Sequence, residues 1–246
     1  MGDGYFFAMK KKTFRRSVLL PALIAGAIVI FAFSDLTRIS TEVETRMWDS
    51  GTTYTSTSQI FYTLDGTLVV RSESPEEMVI KTNRMGEMYV YYPEDNSTEY
   101  HQGSDLSSET SQFYLFLHGM TDDLGLRNIG YTQTDTEFED GHSITYWQPP
   151  QEMRHAVGTT KLVHEDYRPI YLAVHDTDDQ VQQKTYFHDY TQLMGYDFPQ
   201  SITTIEYQSV NDSTVSQTSF ENIKINDEAD SRYFDFEIPD DATLRQ

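Results

Sequence analysis

The sequence predicts a mainly β (α+β) domain, in which about a dozen strands form one highly curved antiparallel sheet or open barrel with a helix lying on it. Three observations carry that expectation. From Ile39 onward the apolar residues recur mostly with period two, as half-buried strands require. The links between these runs are short and rich in turn residues, which joins antiparallel neighbours, because a parallel crossover needs about a dozen residues or more. One segment alone, near residue 113, switches to the helical period.

The first strand is read from Ile39, Thr41, Val43, Thr45 and Met47, which alternate with Ser40, Glu42, Glu44 and Arg46. Further strands are expected over 58–63, 67–72, 77–82 and 87–92, then over 129–134, 143–148, 161–165, 170–175 and 181–187, and finally over 202–207, 215–225 and 233–238. Asp65-Gly66, Met85-Gly86, Pro93 to Asn96, Asp140-Gly141 and Asp176 to Asp179 supply the turns. Before the helix, Ser107 or Ser108 offers a cap and Glu109 an acid in the first turn. Phe113, Phe116, Leu117 and Met120 then fall at i, i+3, i+4 and i+7, one apolar stripe that covers a sheet core. No repeat or linker divides residues 35 to 246, so they read as one domain.

Residues 1–34 read differently. Lys10, Lys11, Lys12, Arg15 and Arg16 precede an uncharged run from 17 to 33, and Ala32-Phe33-Ser34 stands at its end as a cleavage site. A basic block, an apolar block and small residues before Asp35 form a signal peptide or an N-terminal signal anchor, and the five bases ahead of the run place the remainder outside the cytoplasm. Without this segment, 38 acids face 13 bases. That field repels a phosphate backbone and so argues against nucleic acid as a partner. The chain has no cysteine, which excludes disulfides, thiolate nucleophiles and zinc-thiolate sites.

No motif names a reaction. There is no Gly-x-Ser-x-Gly elbow, phosphate loop or dinucleotide fingerprint. His164-Glu165, His175-Asp176 and His188-Asp189 repeat a histidine–acid pair at strand ends, which leaves an extracytoplasmic hydrolase as an alternative. Polar strand ends facing solvent explain them more simply. Asp176 to Asp179 lacks the glycine and distal glutamate of a calcium loop. The expectation is therefore no catalytic residue, no metal and no cofactor. What remains is apolar capacity. Alternation points Leu68, Val70, Met78, Ile80, Tyr89, Tyr91, Ile170, Leu172 and Val174 inward, towards the helix, where they either close-pack or line an apolar cavity.

The order of segments resembles the periplasmic lipoprotein carrier (LolA-like) family. Gly66-Thr67-Leu68-Val69-Val70-Arg71 followed by Pro75 and Met78-Val79-Ile80 is similar to that family's second hairpin. Gly86-Glu87-Met88-Tyr89-Val90-Tyr91-Tyr92-Pro93 is similar to its Gly-x-x-(Trp/Tyr)-x-Tyr-x-Pro strand. The run from Phe113 to Met120 sits where the family has an internal helix, and 218–226 followed by 234–239 resembles its closing strands. The resemblance implies an unclosed β-barrel lidded by helices around a hydrophobic cavity, and an exported carrier that moves lipoprotein acyl chains through the periplasm towards the outer membrane. It further implies release machinery at the inner membrane and an acceptor at the outer one, with the carrier a monomer. A membrane-anchored envelope sensor or adaptor of the same fold is the alternative. The family's arginine that latches the lid falls one residue beyond Arg71, so Arg71 is expected either as a latch or in a surface ion pair with Glu73 or Glu76.

Overall fold

The computed structural model describes residues 35–209 and 212–245. The signal or anchor expected over 1–34 lies outside them. The first six strands form a meander: β1 (Arg38–Asp49), β2 (Thr52–Thr63), β3 (Leu68–Ser74), β4 (Met78–Thr82), β5 (Glu87–Tyr92) and β6 (Ser97–Gln102). A link containing one short helix, α1 (Gln112–Leu117), leads to a second meander of β7 (Thr132–Glu139), β8 (His142–Gln148), β9 (Thr160–Glu165), β10 (Arg168–His175), β11 (Val181–Leu193), β12 (Tyr196–Ser209) and β13 (Asp212–Ile225). A two-residue strand, β14 (Thr243–Leu244), lies parallel to β6 at one margin.

β1 sits in the middle and pairs with β2 on one side and β13 on the other, so both meanders belong to one sheet. The order is β14-β6-β5-β4-β3-β2-β1-β13-β12-β11-β10-β9-β8-β7, and the two ends do not pair. The sheet is an unclosed antiparallel barrel, as the alternation predicts. β6 lies by one margin and β7 is the other, and the chain from 103 to 131 crosses the sheet between them.

That crossing defines an inner face. Phe113, Phe116 and Leu117 of α1 are almost wholly buried there among Ile39, Val43, Tyr62, Phe187, Phe198, Ile202 and Phe220. Phe113 meets Phe198 and Phe220 at ring separations of 5.2 and 5.5 Å, and Phe116 meets Phe187 edge-on at 5.7 Å. A helix of six residues is too short to stand alone in water; this burial holds it. The outer face of β2–β5 carries a smaller core, where Phe61, Val69 and Val79 are covered by Ala229 and Phe234 from the C-terminal segment.

Several boundaries differ from the sequence reading. β6 was not expected, because Ser97, Glu99 and His101 alternate with Thr98, Tyr100 and Gln102, leaving neither face apolar. The strand expected over 129–134 begins later and continues to Glu139. Residues 233–238 do not form a strand: Ser231 accepts the Tyr233 N–H and starts a 3-10 turn (Arg232–Asp235), while Tyr233, Phe234 and Phe236 pack on the outer core. Their apolar spacing reports contact with that core. The helix is also shorter than expected and begins after Ser111, with Met120 just beyond it.

Replacing Phe116 by alanine removes a ring that is 1% exposed and touches three other aromatic rings. Denaturant unfolding should show a loss of about 3–5 kcal/mol, as for other buried phenylalanines. A loss below about 1 kcal/mol would mean that the ring is not close-packed.

Candidate functional site: the strap across the inner face

The crossing link is a strap tied at both ends. At its entry, Gly103 N–H donates to the Gly86 carbonyl (3.1 Å) and Ser108 N–H to the Asn83 carbonyl (3.0 Å). Thr82 Oγ1 donates to the Leu106 carbonyl at 2.6 Å. This close approach requires glycine at 86, where φ is +73° and any Cβ would overlap the Gly103 carbonyl. Two 3-10 turns (Ser104–Leu106 and Ser108–Thr110) then lead to α1, whose N-cap Ser111 accepts the Tyr114 N–H at 3.2 Å.

Arg84, in the β4–β5 turn, clasps this entry. Its Nε donates to Glu109 Oε1 at 2.8 Å, another guanidinium nitrogen donates to the Tyr114 hydroxyl at 3.3 Å, and the guanidinium lies 5.6 Å over the Tyr114 ring. At the exit, His164 Nε2 is 2.8 Å from the Thr121 carbonyl. Asp123, buried, accepts the Gly125 N–H at 2.9 Å and an Arg127 N–H at 3.2 Å, and Arg127 stacks 5.0 Å over Trp147.

Arg71 is not the latch. It points to the outer face, bonds Glu73 at 2.9 Å and Glu77 at 3.2 Å, and lies 5.6 Å over Tyr233. The arginine that holds the strap is Arg84, one hairpin further on. Sequence reasoning missed it because a turn arginine carries no periodic signal.

The cavity residues named from the sequence divide by face. Leu68, Met120 and Leu172 pack against the inner cluster beside Phe113, Phe116 and Leu117. Val70 opposes Ile80 and Ser72 opposes Met78 on the same inner face, and Val70, Met78 and Ile80 remain half-buried. Val174 is inner too, in register with Thr160, whereas Ile170 falls at a pairing irregularity between Pro169 and Tyr171. Tyr89 and Tyr91 are on the wrong side. They oppose Lys81 and Val79 on the outer face, while Met88 and Val90 turn inward. Both alternating sets of this strand are apolar; the tyrosines face out because their hydroxyls need water or polar partners, and Tyr91 donates to Asn96 at 3.1 Å.

Beyond α1 the inner face changes character. Thr45, Ser56, Thr185, Thr204, Ser216 and Thr218 line the far halves of the long strands, with Thr45 and Thr218 hydroxyls 3.1 Å apart. The buried apolar cluster thus lies at the end that the strap covers, while Met47 and Tyr54 stand exposed among the hydroxyls of the far end. Within the cluster, the Tyr62 hydroxyl is buried with no hydrogen-bond partner among the described residues, and burial pushes its pKa far upward.

Past the strap's exit the inner face opens into a groove of about 810 Å³, lined by Arg127, Thr136, Phe138, Ser143, His164 and Tyr167 among others. Two rim aromatics are unusually bare: Phe138 is 82% exposed and Tyr167 is 93% exposed. Tyr167 also adopts φ +67°, in a two-residue turn where glycine costs less. An aromatic residue at such a turn is the sequence signal that could have located this rim. The histidine–acid pairs do not converge: His164 bonds the strap, His175 Nδ1 meets the Thr159 carbonyl at 2.9 Å, and His188 stacks on Tyr186.

No family model matches the sequence, and no curated protein matches it significantly. Solved structures do match the fold. A DUF1329 family protein from Desulfovibrio piger aligns with 82% of this chain and 91% of its own, at 14% identity and a TM-score of 0.56. A LolA superfamily protein from Nitrosomonas europaea aligns with 81% and 91%, at 11% identity and a TM-score of 0.52. A domain described as an outer membrane lipoprotein-sorting protein from Vibrio parahaemolyticus aligns with 80% and 89%, at 9% identity and a TM-score of 0.55. The chain therefore has a LolA-like fold, as the order of its motifs implies.

Two substitutions separate clasp from core. Arg84→Ala removes an exposed ion pair, so the unfolding midpoint should move little while proteolytic cleavage within 103–131 accelerates. Unchanged cleavage would show that Arg84 does not hold the strap. Tyr62→Phe deletes a buried hydroxyl without a protein partner and should leave thermal stability equal or higher; a clear loss would reveal a hydrogen bond made by that hydroxyl.

Proposed function

We propose that the domain is an exported, non-catalytic binder that shelters an apolar, acyl-bearing ligand against the inner face, with the strap as its cover. The edge-to-edge strap carries this reading. Phe113, Phe116 and Leu117 hang from a segment that the sheet itself does not require for pairing, tied down by a clasp at Arg84 and polar contacts at Thr121 and Asp123. Displacing it would free an apolar bay walled by Tyr62, Phe198 and Phe220. On the entry side, Val70, Met78 and Ile80 already form a half-buried apolar row.

The energetics suit a carrier. Each acyl methylene withdrawn from water gains about 0.8 kcal/mol, and the aromatic rings of the closed strap hold the bay dry until a chain replaces them. The hydroxyl-lined far end would then accept the polar head of such a ligand. Release requires a partner that favours the closed state, because a ligand and a partner shift the equilibrium only by their differential affinities. The lipoprotein-sorting domain among the structures of this fold supports the same cargo class and an envelope location.

The purified protein should take up a fluorescent long-chain fatty acid saturably. Ile80→Glu places a charge in the half-buried row and should weaken uptake at least about tenfold while the circular dichroism spectrum stays unchanged. Absence of saturable uptake by the wild-type protein would contradict the reading.

A further inference from the structure

Among the described residues β7 is an open sheet margin: it pairs with β8 on one side and with nothing on the other, and all eight of its residues are exposed. At the opposite margin the two-residue β14 pairs with the first two residues of β6. Every antiparallel strand at such a margin points alternate N–H and C=O groups outward, ready for another strand.

The side chains of β7 sort by face. Asp135, Glu137 and Glu139 oppose Tyr146, Ile144 and His142 and share the outer face. Thr136 and Phe138 oppose Thr145 and Ser143 and lie on the groove side, with Phe138 and Tyr167 on the groove rim. Charges and a bulge between Gln133 and Asp135 are ordinary protection for a bare strand. Phe138, 82% exposed one residue before the end of that strand, is the opposite of protection. The acids repel a second copy of this acidic chain and attract bases.

We propose that β7 is a docking site for an extended segment of a partner protein, added to the sheet as a further strand. The segment's alternate side chains are basic and apolar: the bases face Asp135, Glu137 and Glu139, and the apolar set lies beside Phe138 over the groove. The backbone supplies affinity and the two faces of β7 supply the pattern that selects the partner. This site is independent of ligand uptake on the strap-covered end of the sheet, so either reading can fail alone.

The test uses the purified protein and an eight-residue peptide, the length of β7, that alternates lysine with valine. Three further peptides keep the length: one with glutamate for lysine, one with alternate backbone nitrogens methylated, and one with the lysines retained in scrambled order. Fluorescence anisotropy should show saturable binding of the alternating lysine peptide alone. The combined variant Asp135→Lys, Glu137→Lys, Glu139→Lys changes only exposed side chains; it should lose that peptide at least tenfold and gain the glutamate one. Phe138→Ala should weaken binding without altering the charge preference. Equal binding of the methylated or scrambled peptide would reduce the effect to charge attraction and overturn the proposal. So would a concentration-dependent wild-type dimer that excludes the peptide, because the margin would then belong to a second copy, and so would no binding at all.

Discussion

The structure depends on one topological constraint. β1 pairs on both sides, which puts the end of the first meander and the start of the second at opposite margins of the sheet. The chain between them traverses the inner face. A polar strap would leave that face wet and the sheet without an inner core; this strap instead carries Phe113, Phe116 and Leu117, and the sheet meets them with Tyr62, Phe187, Phe198 and Phe220. Connectivity and core are the same feature.

Energy is distributed accordingly. The sheet holds itself through long antiparallel ladders, above all β1 with β2 and β13, while the strap is held by aromatic packing and a handful of polar ties. Each of these ties contributes less than a buried ring, whose removal costs about 3–5 kcal/mol. A ligand that replaces the rings with its own methylenes therefore competes with the dominant contribution, and loosening Arg84 lowers only the smaller one. The outer face is organised separately: the C-terminal segment lays Phe234 and Phe236 on Phe61 and Val79, so the two faces of the first meander have independent covers.

The β-rich class, the helix stripe and most strands were legible in the sequence because one face of each strand is apolar and its register is forced by burial. β6 was not, since an edge strand beside β14 buries no apolar side. The sequence does not show which way Tyr89 and Tyr91 face, because Met88-Tyr89-Val90-Tyr91 is apolar on both alternations, and only the hydroxyls break the tie. Tyr233, Phe234 and Phe236 imitate a strand while serving as a cover. Of the site, Phe113, Phe116 and Leu117 were readable from spacing, whereas Arg84 and Tyr167 act from turns, where periodicity is silent and only the folded geometry shows their partners.

The central claim is that the strap is a cover separable from the sheet, and hydrogen exchange read along the chain tests it most directly. A separable cover opens below the free energy of global unfolding, so amides of 111–120 should exchange faster than those of β1, β12 and β13, and faster still when the protein is saturated with a fluorescent fatty acid that displaces the rings. Exchange of 111–120 at the rate of the central strands, unmoved by the fatty acid, would mean that the strap is a fixed part of the core and would contradict the claim.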